Sequence, residues 1–406
     1  MPVELNTIPG PAWRPSAPKP LRWLGALPGF FVAGSLLAHY QGLQPEENVF
    51  WWFAIGSAVF LWLIIASVRL LFYLMQQSYS NGYDQARERD ILQMVRRGRR
   101  ALQILAAECI TAHSVDMEFT DIADALLTNE NKITAQPSWN GALNIRHSRL
   151  PDLSGMPTDI RILAIFSRLL EKLAVPLSQL PSDYPVTVLL ESSSSHSATR
   201  IRELWQQAWR DRFLSQPAFL TEGKGLEAID LWLDHRIKDK SLLLVVALQI
   251  APEETEMSGE CVVGLLFGNR LTQTKLTPFA LLHRPERSDA QQASLQSGVL
   301  QAANWVPMLD NEIEHLWLAG LPAESEACRS AIVVQGKAPL SSVSACANVH
   351  NFNAFLGDLG CANPWLGICA AAQAASLAPT HHMIISAEQG RDAVWSSVVA
   401  PIVTGQ

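Results

Sequence analysis

Two apolar runs near the N-terminus limit what this chain can fold into more than anything else in it. Residues 21–40, LRWLGALPGFFVAGSLLAHY, and residues 50–75, FWWFAIGSAVFLWLIIASVRLLFYLM, are separated only by the polar stretch QGLQPEENV. A membrane-spanning helix needs ~20 apolar residues, each adding ~1.5 Å. Both runs reach or approach that length, and Trp51, Trp52, Trp62 and Tyr73 are partly placed where interfacial anchors sit. The sequence therefore predicts a transmembrane hairpin at 21–75, with the lipid bilayer as a partner. The alternatives are a pair of buried soluble helices and a cleaved signal peptide. No small-x-small site follows the first run, and a second run does, which argues against a signal peptide.

Charge sets the expected orientation. Arg14, Lys19 and Arg22 precede or open the first run. Arg69, Arg87, Arg89, Arg96, Arg97, Arg99 and Arg100 close or follow the second, and the connecting loop carries only Glu46 and Glu47. Under the positive-inside rule both termini face the cytoplasm, and the expected setting is a bacterial inner membrane, with the protein multi-pass. The leader 1–20 is proline-rich and expected to be extended or disordered. A juxtamembrane helical linker is expected over 76–150. Within it, 84–110 shows apolar residues at helical spacing (Ile91, Leu92, Val95, Leu102, Leu105) around a basic stripe. That segment either continues the second helix into the cytosol, lies against anionic headgroups, or is a solvated face.

The soluble remainder, 151–406, carries short β-branched runs alternating with amphipathic stretches, the pattern of a layered α/β domain. Strands are expected at 186–191, 242–248, 260–267, 278–283, 305–309, 331–335, 382–386 and 394–399. Helices are expected at 198–212, 225–237, 290–303, 312–321 and 365–377. The order roughly repeats, so the domain reads as two similar halves, about 185–270 and 275–406, each with a mostly parallel sheet between helices. The loops PEETEMSGE (252–260) and HRPER (283–287) read as solvated, and Ser197 as a helix N-cap.

Charged residues make up 17% of the chain and the net charge is −7, a balance that argues against nucleic acid as a partner. The six cysteines, Cys109, Cys261, Cys328, Cys346, Cys361 and Cys369, form no C-x-x-C pair, and His381 and His382 have no cysteine at zinc-finger spacing. They read as reduced thiols, with no metal and no cofactor expected. No Walker loop, H-E-x-x-H, G-x-G-x-x-G or G-x-S-x-G signature occurs.

The stretch GDLGCANPWLGICAAA, 357–372, puts small residues and a proline at the opening of an apolar helix, just after Asp358. It resembles the G-D-x-G-A-A turn of the thiolase-like superfamily, in particular its β-ketoacyl synthases, with Cys361 where the first alanine stands. Asp310 and Glu312 resemble that family's acidic helix start, one residue short in spacing. GECVVGLLFG (259–268) and GLEAIDLWLDHRIKDKSLLLVVAL (225–248) resemble its first-half strands and the helix after its nucleophile. The resemblance covers roughly 185–406 and implies the fold class: α/β, a two-helix transmembrane hairpin followed by a thiolase-like layered domain of two similar halves. It also implies a homodimer formed through a sheet edge.

The same resemblance implies a nucleophilic cysteine just before the Gly225 helix and two histidines. The nucleophile position falls in FLTEGKG, where Thr221, Glu222, Gly223 and Lys224 stand and no cysteine does. WVPMLD, at the first histidine position, contains no histidine, and Asp358 occupies the second. No catalytic, cofactor-binding or metal site is therefore assigned. Cys346, four residues before His350, is the alternative thiol–imidazole pair, set against an ordinary buried cysteine beside a loop histidine. The expected function is a non-catalytic membrane-anchored scaffold or adaptor that binds other protein subunits, in a bacterial envelope or secretion assembly. The alternatives are a membrane-bound acyltransferase or acyl-thioester-binding enzyme, and a sensor with a small molecule in the old cleft. An enzyme requires an open cleft between the halves. A scaffold is free to fill it with Trp365 or Phe355.

Overall fold

A computed structural model describes residues 8–402, apart from 116–121, 140, 142–143, 152–155, 213, 254–255, 270, 273–275, 309–311, 345–346 and 388–392. It divides into two compact units, Glu4–Val95 and Arg96–Gln406.

In the first unit, α1 (Pro20–Tyr40) and α2 (Asn48–Gly98) form a hairpin, and both are long and apolar enough to cross a membrane. Small residues let them pack closely: Ala38 and Ala54 are buried together with Phe50, and the Trp62 indole donates to the Trp23 carbonyl at 2.9 Å. Most other apolar side chains point outward. Trp52, Phe60 and Leu71 are more than half exposed, the reverse of a soluble core helix. The described part of the leader is extended and tied along α2. Ala12 N–H donates to Asp84 at 2.9 Å, Arg14 pairs with Asp84 at 3.2 Å, Ser80 donates to the Trp13 carbonyl and Arg87 to the Pro9 carbonyl.

α2 continues as one helix to Gly98, and the linker expectation fails beyond that point. Ala101–Ile110 is a strand, β1, inside the sheet. Leu102 and Ile104 bury on one face while Leu105 and Ile110 bury on the other. A strand covered on both faces reads as a continuous apolar run, so its period gives no signal against a helix.

The rest of the first half runs in order: α3 (Ala123–Leu127), the hairpin β2 (Thr134–Pro137) and β3 (Asn144–His147), α4 (Thr158–Ser178), β4 (Val186–Ser192), α5 (Ala198–Asp211), β5 (Ala218–Leu220), α6 (Gly225–His235), β6 (Leu242–Gln249) and β7 (Cys261–Gly268). The second half contains β8 (Ala280–His283), β9 (Glu286–Asp289), α7 (Gln292–Asn304), β10 (Ile313–Ala319), α8 (Glu326–Gln335), β11 (Val349–Asn351), α9 (Phe352–Phe355), α10 (Asn363–Leu377), β12 (His381–Ala387) and β13 (Ala393–Pro401).

Strand order shows the internal repeat directly. The first half is ordered β5-β4-β6-β7-β1 and the second β11-β10-β12-β13-β8. In each, the first three strands are parallel and the last two antiparallel. The sheets are thus mixed rather than mostly parallel, and the first half begins at β1 rather than near residue 185. β1 and β8 pair antiparallel and join the halves.

Three apolar clusters define the layers. α4 and α5 cover the outer face of the first half and α7 and α8 that of the second. α6 and α10 lie between the sheets, and every residue of α10 from Asn363 to Ala375 is buried. An alanine-rich helix suits that place because short side chains let two sheets approach it together.

Three expectations in 305–335 are reversed. The described residues of 305–309 are not strand, the expected helix at 312–321 is the strand β10, and the expected strand at 331–335 is the end of α8. Ser325 accepts from the Cys328 amide and Glu326 stands in the first turn, so capping starts α8 where the β-branched residues suggest a strand. Both loops read as solvated are partly buried. Glu260 is fully buried and takes both Arg161 guanidinium nitrogens as well as the Leu150 and Ala251 amides. Arg284 is fully buried between Asp230 and Asp234, the latter also bound by Arg97 at 2.7 Å. Beside them, the Trp305 indole donates to Glu286 at 2.5 Å, and burial pushes that carboxyl up to about 7 against this hydrogen bond.

Candidate functional site

In parallel α/β sheets, ligand sites form beyond the carboxyl ends of the strands. Here the end of β4, Leu190–Ser192, and Ser193 after it face Gly223–Gly225, which lead into α6, and the one-turn 3-10 helix Gly360–Ala362 that leads into α10. Between them lies an open cavity of about 390 Å³, also lined by Ala198, Arg202, Pro364 and Ala387. The fold thus brings together the FLTEGKG and GDLGCANP stretches, 135 residues apart in the chain, on which the sequence resemblance depends.

A carboxylate occupies the floor. Glu191, buried at the end of β4, accepts from the Gly225 amide at 2.5 Å through one oxygen and from the Trp365 indole at 2.7 Å through the other. A helix N-terminus is a ready anion site, and here the chain supplies the anion itself. Sequence reasoning passes over Glu191; the available signal is a lone charge ending an apolar strand. Lys224 and Arg202 are exposed at the rim.

Cys361 is the thiol that lines this cavity. Its Sγ points to the Leu248 carbonyl at 3.5 Å and its amide donates to Ser193 at 3.2 Å. Burial first, and the Glu191 charge second, push the thiol up to about 12, so it is protonated at neutral pH and a poor nucleophile. Gly360 allows this arrangement: its φ is +55°, and a Cβ there would lie 2.2 Å from the Ser193 hydroxyl.

Asp358 anchors the turn. Its carboxylate accepts from the Gly360 amide at 3.1 Å and the Asn363 amide side chain at 2.6 Å, while its backbone bonds Met257, Gly259 and Gln249. It borders a separate polar recess of about 320 Å³ with Ser193, Gln249, Glu253 and Glu256. His350 lies on β11, hydrogen-bonded to Asn129 and His315 and packed on Trp317, and is pushed down to about 3 by burial and by His315. Cys346 and Asp310 lie outside the described residues; Glu312 is half-buried just before β10. Trp365 and Phe355 do not fill the cavity. Trp365 lies wholly within the core, and Phe355 packs against Phe352 and His113. Among the described residues no group of three or more His, Cys, Asp or Glu side chains is arranged to hold a metal.

This architecture of five alternating helix and sheet layers, built from two halves of one topology, is the thiolase-like fold. Among solved structures the chain is similar to the ishigamide ketosynthase/chain length factor, with a TM-score of 0.52 at 13% identity, covering 75% of this chain and 100% of that one. It is also similar to the PfaC keto synthase–chain length factor, with a TM-score of 0.52 at 10% identity, covering 75% of this chain and 43% of that one. No family model and no curated protein matches the sequence.

Proposed function

We propose that the protein is a membrane-anchored, non-catalytic member of this fold, a scaffold that holds other protein subunits at the inner membrane of a bacterium as an accessory part of an envelope or secretion assembly. The observation that carries this reading is Glu191: the α6 N-terminus, where a condensing enzyme needs a thiolate, is filled by a buried internal carboxylate. The absence of cysteine in residues 218–224 supports it, as does the protonated state of Cys361. Residues 20–75 supply the anchor, and the arginine and lysine asymmetry favours cytoplasmic termini. Self-association would add strands at the outer edge of β5, where Phe219 and Leu220 are exposed.

Crosslinking of alkali-washed membranes tests the proposal. It predicts retention of the protein and repeated adducts between lysines of the Arg96–Gln406 unit and a small set of other polypeptides. Recovery in the soluble fraction, or no adduct to any other polypeptide, overturns it. One observation favours the second reading, an acyl-thioester-binding protein: the cavity is open and its rim carries Lys224 and Arg202. Under that reading Cys361 becomes acylated.

A further inference from the structure

We propose that the cleft between the N-terminal strap and α2 is a binding site for one anionic phospholipid, whose phosphate pairs with Arg69 and whose glycerol and upper acyl chains lie on the aromatic lining. The inference rests on the hairpin lying in a bilayer. Gly10–Trp13 and the α2 residues Phe72, Met75, Gln76, Tyr79, Ser80 and Tyr83 enclose about 500 Å³. The strap is fixed there by its bonds to Ser80, Asp84 and Arg87. Trp13, Phe72, Met75 and Tyr79 are nonetheless each more than half exposed, so among the described residues nothing covers this large aromatic and thioether surface.

Arg69 lies one turn before Phe72. The residue as a whole is only partly buried, while its Nη1 is buried and has no hydrogen-bond partner among the described residues. Residues 69, 72, 76, 80 and 83 follow helical spacing and share one face. From Asn48 to Tyr83, α2 contains no acidic residue, and neither does α1. Asp84, the first carboxylate beyond that stretch, is already held by Ala12 and Arg14. The 26-residue run 50–75 measures about 39 Å at ~1.5 Å per residue, longer than a ~30 Å hydrocarbon layer. Phe72–Met75 therefore reach the headgroups, and Arg69, about one turn deeper than Phe72, lies within snorkelling distance of a phosphate. Arg14, Lys19, Arg22 and Arg87 stand in the same strap and helix segments and add positive charge. An amphiphile with a negative head and an apolar body complements both features.

The test is native mass spectrometry of the full-length protein released from mixed nanodiscs containing equal phosphatidylglycerol and phosphatidylcholine with identical acyl chains. The wild type is expected to retain phosphatidylglycerol over phosphatidylcholine by about fivefold, the order expected for one basic side chain near a lipid headgroup. Arg69→Gln is expected to bring the ratio near one, and Arg69→Lys to keep most of it. Trp13→Ala, outside any helix, is expected to lower total lipid retention several-fold with helicity unchanged. Equal retention of the two lipids by the wild type, a wild-type ratio in Arg69→Gln, or unchanged retention in Trp13→Ala overturns the site. Recovery of the chain in the soluble fraction without detergent refutes the membrane reading itself and removes the site with it.

Discussion

Replacing Glu191 with alanine removes the internal anion from the α6 N-terminus. Two buried donors, the Gly225 amide and the Trp365 indole, then lose their acceptor. Each unsatisfied buried donor costs ~1–3 kcal/mol, so Glu191→Ala should destabilise the folded protein by about 2–5 kcal/mol, part of which incoming water recovers. The cavity beside Glu191 is open, so a small external carboxylate can reach the vacated place. Urea unfolding of the full-length variant in detergent, with and without acetate, measures both effects. The midpoint should fall on substitution and rise again with acetate by more than the wild type's does. A loss below about 0.5 kcal/mol, the range of an ordinary surface substitution, would refute the reasoning. An acetate effect equal to that on the wild type would also refute it.

Other consequences follow from the buried charges. Arg284→Met removes a buried guanidinium from Asp230 and Asp234, the latter keeping Arg97, and should cost ~3–5 kcal/mol in the same unfolding assay. The Glu286 carboxyl, raised to about 7 by burial, takes up protons in the folded state that the unfolded chain releases. Stability should therefore fall as pH rises from about 4.5 to about 7, and Glu286→Gln, which keeps an acceptor for Trp305, should remove that slope. His382 is depressed to about 3 by burial and by its neighbours His315, His350 and His381. Its neutral form is part of the fold, so its contribution is complete above the ordinary imidazole value of ~6.5 and is lost as pH falls below it. His382→Gln, retaining an acceptor for the Trp317 indole, should flatten that acid dependence.

Much of this architecture is legible in the residues, and the failures have physical causes. β6 is an apolar run bounded by polar breaks, and its burial on both faces is what the sequence shows; β7, whose run reads as alternating, is buried on both faces as well. In β10 the pattern IEHLWLA includes Glu314 and His315, and its glutamate and leucines suit a helix; burial between β11 and β12 decides otherwise. α8 reverses the conflict, because capping at Ser325 prevails over the β-branched Ile332, Val333 and Val334. α4 is passed over although Ile162, Ile165, Phe166, Leu169, Leu170 and Leu173 mark one buried face at helical period. The GDLG turn is read as kept architecture, and Asp358 does hold that turn together. Glu191 shows in the sequence only as a lone charge ending an apolar strand, because its importance arises from where β4 ends relative to α6, a tertiary fact.

The reading that the condensing chemistry is missing rests on the filled α6 N-terminus and on a protonated Cys361. Intact-protein mass measurement of the purified full-length chain after incubation with acyl-CoA and with acyl-loaded carrier protein tests it most directly. The account predicts an unchanged mass. A stoichiometric acyl adduct that disappears in Cys361→Ala or Cys346→Ala would contradict it.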